Sequence, residues 1–278
     1  MQENQEKIEC LRQMARRMRI KAIDMAYGAG ESGAHLGPAL SCMEIFAVLY
    51  GNLLRYDTAN PAWEERDRFI PSKAHCVLAY YTALREAGFL TEEDLLSFEK
   101  PGTCFAGHPS RNQEKGIEYS GGSLGMALSV GVGMALGIRK KQRGGRVFIL
   151  LGDGELDEGS NWEAILSAAH FRLSHLTAII DKNQLQYDGN TEEVMALGDL
   201  QGKFERFGWE AKTVDGHDIG ALLEAFAGFH EDRPHVLIAE TVKGKGVSFM
   251  EGKREWHHSV LKKQEFDIAR KEIQGDGL

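Results

Sequence analysis

The chain has 278 residues, 42% of them hydrophobic, and a formal net charge of −8 at pH 7, so it can bury a large core and we expect residues 1–278 to form one domain. The net acidity argues against a nucleic-acid partner, and the lack of a run of about 20 apolar residues argues against a membrane span. Because the polar start, residues 1–9, differs from a signal peptide, we expect a soluble protein in the cytoplasm.

The first part of the chain predicts helices separated by loops. Apolar residues recur at three- and four-residue steps from Ile8 to Met25, which predicts an amphipathic helical segment over about residues 5–28. Three later segments follow polar loops: a helix at residues 43–53, a short apolar stretch at 68–71, and a helix at about 76–87.

The central and late parts of the chain alternate predicted strands with predicted helices. Strands are predicted at residues 147–151, 176–180, 209–214 and 235–240, and helices at about 161–171 and 219–229. Apolar strands separated by helices indicate an α/β fold with a doubly wound, mostly parallel sheet and helices on both faces. Ligands of such sheets bind beyond the carboxyl ends of the strands.

A Gly-Asp-Gly triplet comes directly after the first central strand. Gly152, Asp153 and Gly154 form the triplet, and 28 residues separate Gly154 from Asn183, which follows the second central strand. One carboxylate, one amide oxygen and a backbone carbonyl supply half of an octahedral Mg²⁺ shell, and the glycines let the backbone approach a phosphate. An isolated triplet is more often a tight turn, and Glu158 rules out an EF-hand because it stands where that loop requires glycine.

The triplet, its spacer and the asparagine together resemble the thiamine diphosphate fingerprint. The residues around them resemble the transketolase family in particular: Gly-Asp-Gly-Glu-Leu-Asp-Glu-Gly at 152–159, Trp-Glu-Ala at 162–164, and Asp-Lys-Asn-Gln-Leu at 181–185. The resemblance implies that Asp153, Asn183 and the carbonyl of Leu185 bind Mg²⁺, with Ca²⁺ or Mn²⁺ able to substitute. It also implies that Gly152 and Gly154 lie against the cofactor.

Further segments extend the resemblance from about residue 20 to residue 268. They are residues 32–38, 66–75, 107–109, 121–125, 241–246 and 255–258. The resemblance implies cofactor-binding roles for Lys73, His75, Ser123, Leu124, Gly125, Lys243 and His257, and catalytic contacts with substrate for His35, His108 and His257. These residue types suit that chemistry, because a diphosphate requires cationic donors and a sugar requires groups that exchange protons near pH 7.

Some residues depart from the family pattern or are assigned no role. Ala34 is an extra residue before His35, Ala74 stands where glycine is usual before His75, and His258 stands where glycine is usual after His257. These changes concern the substrate end of the site and leave the expected metal ligands intact. Four histidines are expected to be ordinary surface or core residues: His170, His175, His230 and His235.

The cysteines Cys10, Cys42, Cys76 and Cys104 contain no Cys-x-x-Cys pair. We therefore expect neither a zinc site nor a disulfide framework, and we expect reduced, mostly buried thiols.

The resemblance also implies a partner chain. In full-length transketolases a pyrimidine-binding domain supplies a glutamate to the cofactor, and we expect that domain on a separate C-terminal subunit, with two copies of each chain in the complex. Glu158 resembles an acid near the subunit interface, although a helix-start acid favoured by the helix dipole is an equal alternative. The implied reaction transfers a two-carbon ketol unit from a ketose, usually phosphorylated, to an aldose.

Several alternatives stay open at this point. The α subunit of a 2-oxo acid dehydrogenase is also a separate diphosphate-binding chain, but the residues after the triplet and the segments at 107–109 and 256–257 favour transketolase. Deoxyxylulose phosphate synthase shares the motif in a longer chain, and a non-catalytic binding subunit would keep the fold. Glycines at 131, 133 and 137 could suggest a dinucleotide loop, but they lie in an alanine-rich helical run with no strand before it.

Overall fold

The computed structural model describes residues 2–230 and 232–275. Its helices are Gln2–Gly28 (α1), Leu36–Leu40 (α2), Met43–Val48 (α3), Val77–Ala87 (α4), Glu92–Leu96 (α5), Ala127–Lys140 (α6), Gly159–His170 (α7), Thr191–Val194 (α8), Leu200–Arg206 (α9), Ile219–Ala227 (α10) and Lys263–Gln274 (α11). Its strands are Arg68–Pro71 (β1), Val147–Gly152 (β2), Leu176–Lys182 (β3), Glu210–Asp215 (β4) and His235–Glu240 (β5).

The strands form one parallel sheet in the order β1-β2-β3-β5-β4. The predicted α/β architecture is therefore confirmed, and the strands predicted from the central and late segments match β2 to β5 within two residues. β1 is an addition, because only a short apolar stretch was expected at its position. Its Phe69 lies opposite Phe148 of β2, so a four-residue segment becomes the edge of the sheet.

Helices cover both faces of the sheet because the side chains of each strand alternate between them. In β2, Phe148 and Leu150 pack into the core shared with α1, α3 and α4. Ile149 and Leu151 point the other way, into the core shared with α6, α7 and α9. Each fully buried side chain of this size contributes about 1.5–3 kcal/mol to folding, so β2 is anchored on both faces.

The helices of the first part of the chain form the layer on one face of the sheet. α1 contains the predicted N-terminal helix, and it packs against α3, α4 and α11. The predicted helix at 43–53 is α3 followed by a π-helical turn, Leu49–Leu53. Gly51 of this turn lies against α1 so closely that a methyl group on it would come within 2.5 Å of Leu11 Cδ2.

Two further features concern expectations from the sequence. Among the described residues, no helix combines the length and apolar character that crossing a bilayer requires. Cys42 and Cys76 are buried as free thiols, whereas Cys10 and Cys104 are exposed. The expectation of mostly buried thiols is therefore wrong for half of the cysteines, because Cys10 lies on the solvent side of α1 and Cys104 lies in a surface loop.

The carboxyl ends of β2 and β3 meet at the same edge of the sheet. Gly152 pairs in register with Asp181, so the segments that continue from the two strands leave the sheet side by side. After β2 the chain forms a 3₁₀ turn, Gly154–Asp157, and then α7. This edge is where the parallel topology places a ligand.

Candidate active site

A cavity of about 390 Å³ opens at this edge of the sheet, beyond β2 and β3. Its lining includes most of the site residues predicted from the sequence: His35, Lys73, His75, His108, Leu124, Gly152, Asp153, Gly154, Glu158, Asn183, Leu185, Lys243 and His257. Ser123 and Gly125 flank this lining, on either side of Leu124. The structure therefore gathers residues that are far apart in the chain into one place.

Asp153 and Asn183 are buried at the floor of this cavity. The Asp153 carboxylate accepts hydrogen bonds from the backbone N–H groups of Gly154 (2.9 Å) and Gln184 (2.6 Å). The pKa of Asp153 is nevertheless raised to about 6, because burial and the nearby Asp181 carboxylate disfavour its charged form. A buried carboxylate that lies near a second carboxylate, as Asp153 lies near Asp181, is stabilised by a bound cation.

The same floor carries two more oxygen atoms that suit a metal. The Asn183 amide donates to Asp181 Oδ2 (3.1 Å), which fixes its orientation and leaves Oδ1 as the acceptor. The Leu185 carbonyl accepts from the Lys243 ammonium at 2.9 Å, so this oxygen already interacts with a positive charge. A carboxylate, an amide oxygen and a carbonyl are the hard ligands that Mg²⁺ or Ca²⁺ prefers, and the donor set therefore fits such a cation.

Lys243 is buried beside these oxygens. Its Nζ lies 2.9 Å from the Leu185 carbonyl and 3.0 Å from His257 Nδ1. Burial, and then the charge of Lys73, lower the pKa of Lys243 to about 8. A phosphate in the cavity would favour the charged ammonium, so Lys243 is suited to bind an anion.

Lys73 lines the cavity, but its ammonium points into the protein. It forms a buried ion pair with Asp181 Oδ2 and also donates to the Pro38 carbonyl at 3.0 Å. Burial alone would lower the pKa of Lys73, and the Asp181 carboxylate outweighs it and raises that pKa. Asp181 also accepts from Ser41 Oγ (2.6 Å) and from the Thr241 hydroxyl. The main electrostatic partner of Lys73 is therefore Asp181, a residue for which the sequence analysis assigned no role.

Five histidines form a cluster at the wall of the cavity. The ring of His35 lies 5.5 Å from the rings of His75, His108 and His257, and 4.5 Å from that of His258. Burial, followed by charged neighbours, lowers the pKa of both His35 and His257 to about 3, and burial lowers the pKa of His75 well below its usual value. At neutral pH these three imidazoles are uncharged and can both donate and accept hydrogen bonds.

In the sequence, His258 is only a departure from the family pattern. In the structure, its ring is nearer to the ring of His35 than those of the other three histidines of the cluster. The extra residue Ala34 explains this proximity. Its N–H donates to the Ser259 carbonyl (3.0 Å) and its carbonyl accepts from the Ser259 N–H (3.1 Å). This pair of hydrogen bonds joins the loop of His35 to the segment that carries His257 and His258.

Glu155 connects three loops beneath the cavity. Its buried carboxylate accepts from the backbone N–H of Gly125 (3.0 Å), from the N–H of Gly152 (3.2 Å), and from the Ser72 hydroxyl. These contacts hold the turn at 121–125 against the end of β2. In the sequence, Glu155 is only part of the motif at 152–159, because its spacing gives no sign of its distant partners.

The remaining predicted residues lie at the rim of the cavity or outside it. Glu158 is exposed and immediately precedes α7. It therefore lies at a helix start, as one of its two interpretations expects, and its side chain is also accessible to a partner chain. The four histidines with no expected role lie apart from the cavity lining within residues 2–230 and 232–275. His175, for example, bonds to the Ala135 carbonyl at 2.7 Å.

Known proteins resemble the chain over nearly its whole length. It matches the family model described as "Transketolase, thiamine diphosphate binding domain" over residues 10–276. It is 37% identical to an apulose-4-phosphate transketolase subunit of Phocaeicola vulgatus, an alignment that covers 96% of this chain and 94% of that protein. It is 38% identical to a 6-deoxy-6-sulfo-D-fructose transketolase subunit of Clostridium sp., covering 87% and 89% of the two chains.

A solved structure also matches this fold. The transketolase of Campylobacter jejuni superposes with a TM-score of 0.88 and 28% identity, covering 97% of this chain. The alignment covers 43% of that transketolase chain. The chain therefore spans less than half the length of that structure.

Proposed function

The chain belongs to the transketolase family, and we propose that it is the diphosphate-binding subunit of a two-chain transketolase that transfers a two-carbon ketol unit from a ketose phosphate to an aldose phosphate. One observation carries this proposal: the oxygen donors, the Lys243 ammonium and the histidine cluster face one cavity at the carboxyl edge of the sheet. The family match favours this reading over a 2-oxo acid dehydrogenase subunit. We also propose that residues 1–278 form one domain and act in the cytoplasm.

The cofactor of the proposed enzyme is thiamine diphosphate held through Mg²⁺. Asp153, Asn183 and the Leu185 carbonyl would bind the metal, which fits their oxygen chemistry and the raised pKa of Asp153. When bound, thiamine diphosphate supplies a nucleophilic carbon and an electron sink for cleaving the bond next to a ketone. Lys243 would neutralise diphosphate charge, because its ammonium lies 2.9 Å from the Leu185 carbonyl, beside the other proposed metal ligands.

The substrate side of the proposed site is the histidine cluster. His35, His108 and His257 would bind the hydroxyl and carbonyl oxygens of the ketose and move protons there. The lowered pKa values of His35 and His257 support this role, because a neutral imidazole can accept a proton as well as donate one. The other cofactor contacts that we propose are His75, Ser123, Leu124, Gly125, Gly152 and Gly154, together with the part of the Lys73 side chain that lines the cavity.

A partner subunit is part of the proposal. Relatives that align along 94% and 89% of their length are named as subunits, which supports a separate chain that carries the pyrimidine-binding domain. We propose two copies of each chain, with Glu158 at the contact. The names of these relatives include apulose 4-phosphate and 6-deoxy-6-sulfo-D-fructose, so both are candidate donors beside xylulose 5-phosphate.

A reconstitution assay tests the proposal. The chain is purified with and without a candidate C-terminal subunit from the same genome. Ketol transfer is then measured with Mg²⁺ and thiamine diphosphate. The donors are xylulose 5-phosphate, apulose 4-phosphate and 6-deoxy-6-sulfofructose, and the acceptors are ribose 5-phosphate and glyceraldehyde 3-phosphate. We expect activity only in the mixture. Activity of the isolated chain would refute the need for a partner, and inactivity of a mixture that binds the cofactor would refute transfer from these donors.

A further inference from the structure

Behind the cavity, three polar side chains from three parts of the chain form a continuous series. Arg19 of α1 is 2% exposed and forms two bonds to Glu44 of α3, at 2.5 and 2.8 Å. Glu44 is 8% exposed, and its Oε2 lies 3.0 Å from Nδ1 of His217, which lies between β4 and α10. Charged groups at this depth require partners, so the series is a fixed structural unit.

Both ends of this series contact the loop that carries Lys243. We define the Lys243 loop as residues 241–246. At one end, His217 Nε2 accepts a hydrogen bond from the Val242 N–H at 2.9 Å. At the other end, Arg19 Nε donates to the Lys245 carbonyl at 3.3 Å. Lys243 is therefore flanked on both sides by residues whose backbone is held by the same unit.

The hydrogen bonds determine which ring nitrogen of His217 donates and which accepts. The Val242 N–H can only donate, so Nε2 of His217 must be the acceptor and Nδ1 must carry the proton that is donated to Glu44. Burial alone would raise the pKa of Glu44, but Arg19 and His217 outweigh it and lower that pKa to about 2. Each group therefore fixes the state of the next, from α1 to the Lys243 loop.

We propose that Arg19, Glu44 and His217 are positioning residues that hold the Lys243 loop in the conformation that presents the Lys243 ammonium to the diphosphate. The inference rests on the proposed role of Lys243 in cofactor binding. It extends the functional site to a layer of residues behind the cavity. A further hydrogen bond, from the Gly244 N–H to the Gly37 carbonyl at 3.1 Å, fixes the tip of the Lys243 loop. It defines the loop position that Arg19, Glu44 and His217 must maintain.

Two substitutions of His217 separate its two hydrogen bonds. In His217→Gln, the amide oxygen reaches the position of Nε2 and can still accept from Val242. In His217→Asn, the shorter amide reaches the position of Nδ1, keeps the bond to Glu44 and loses the bond to the loop. A residue whose only role was to pair with Glu44 would tolerate the second change better than the first, so the two variants distinguish positioning of the loop from pairing with Glu44.

The readouts are the dissociation constant of thiamine diphosphate with Mg²⁺, measured by titration calorimetry, and hydrogen exchange of the loop amides without cofactor. For His217→Asn we expect a dissociation constant at least tenfold higher, equivalent to about 1.4 kcal/mol, and faster exchange at residues 242–246. For His217→Gln we expect a change below about threefold. His230→Gln is the matched control, because His230 also pairs with a glutamate, Glu210, but its side chain is 82% exposed.

The outcomes separate this inference from the proposed function. Absence of cofactor binding by the wild-type chain, alone and with its partner, would refute the proposed function. With wild-type binding intact, unchanged binding in His217→Asn, or equal loss in both variants, would overturn the positioning role. If His217→Asn fails to fold, Arg19→Lys tests the other end, since lysine keeps the buried positive charge but loses the bond to Lys245. Unchanged binding and exchange in that variant would likewise overturn the inference.

Discussion

At the scale of single residues, Lys243 carries a charge where folding disfavours it. Its pKa is lowered to about 8, first by burial and then by Lys73. The protonated amine is therefore less stable in the folded chain than in the unfolded one. This cost is fully present below pH 8 and is relieved as the pH rises from about 8 towards the unfolded value of about 10.4.

Replacing Lys243 by methionine should therefore separate stability from binding. At pH 7 and without cofactor, we expect the free energy of unfolding of Lys243→Met to be about 1 kcal/mol higher than that of the wild type, with a smaller difference at pH 9.5. The affinity for thiamine diphosphate should fall about 100-fold, since one buried charge-assisted contact is lost. Urea unfolding at both pH values and calorimetric titration measure the two effects.

Lys245→Met is the control for this prediction. Lys245 lies in the same loop, but its side chain is 34% exposed and pairs with Glu251 at 3.6 Å. We expect little change in stability or affinity, because exposed ion pairs contribute about 0–1 kcal/mol. Equal loss of cofactor affinity in both variants would contradict a specific role for Lys243.

Asp153 carries the second prediction at this scale. Asp153→Asn removes the only formal negative charge among the three proposed metal ligands, so we expect Mg²⁺-dependent binding of thiamine diphosphate to weaken at least 100-fold. Glu240→Gln is the control, because Glu240 also ends a strand of the sheet but its side chain is 53% exposed and pairs with Lys182. Titration with Mg²⁺ at fixed cofactor measures both, and wild-type affinity in Asp153→Asn would exclude Asp153 as a ligand.

The sequence predicted the residues that face the cavity better than the residues that hold them. The motifs identified Asp153 and Lys243 because their chemistry is local, whereas the partners of Asp181 and Glu155 come from distant parts of the chain. Arg19 did carry a signal that was missed. It lies four residues after Ala15, on the apolar stripe of α1, where a charge requires a buried partner.

At the scale of elements, glycine is required where the Lys243 loop folds back on itself. Gly244 has a φ of +81°, and a methyl group on it would lie 2.6 Å from the backbone carbon of Met250. We expect Gly244→Ala to lower the free energy of unfolding by about 1–3 kcal/mol and to weaken cofactor binding, because Val242 and Lys245 lose their fixed positions.

Gly137→Ala is the matched control for Gly244→Ala. Gly137 lies in the last turn of α6, where a methyl group would meet no atom within 4 Å among the described residues. We expect it to raise the free energy of unfolding by about 0.5–1 kcal/mol, as alanine favours a helix over glycine. Thermal unfolding of the isolated chain measures both variants, and a stable Gly244→Ala with normal binding would contradict the proposed packing of the loop.

The predicted elements were accurate where a long period or a continuous apolar run of strand length defines them. The N-terminal helix has such a period, and the strands β2, β3 and β5, of six or seven residues, are continuously buried up to their last residue. β1 was not assigned because four residues are too few to show a period, and its pairing with β2 depends on the tertiary fold. The π-helical turn at Leu49–Leu53 likewise depends on the close approach of Gly51 to α1.

At the scale of the whole molecule, the parallel sheet concentrates charged groups at one edge. Asp153 follows β2 and Asp181 lies near the end of β3, and the two lysines that approach them come from the segment after β1 and from the late loop. The packed core on both faces holds this arrangement in place. Packing of the core therefore stabilises a placement of these charged groups that suits a charged ligand.

This arrangement predicts that cofactor and metal stabilise the chain most strongly when both are present. Mg²⁺ would compensate Asp153 and the diphosphate would compensate Lys243, whereas either ligand alone leaves one charge uncompensated. With both ligands at about 100 times the dissociation constant, the free energy of unfolding should rise by about 2.7 kcal/mol, which raises the melting temperature of a chain of this size by roughly 5–10 °C. Scanning calorimetry measures the shift, with EDTA and thiamine monophosphate as controls that remove the metal and the second phosphate. An equal shift in the presence of EDTA would show that the diphosphate binds without a metal, and the oxygen donors at the carboxyl edge would then need another explanation.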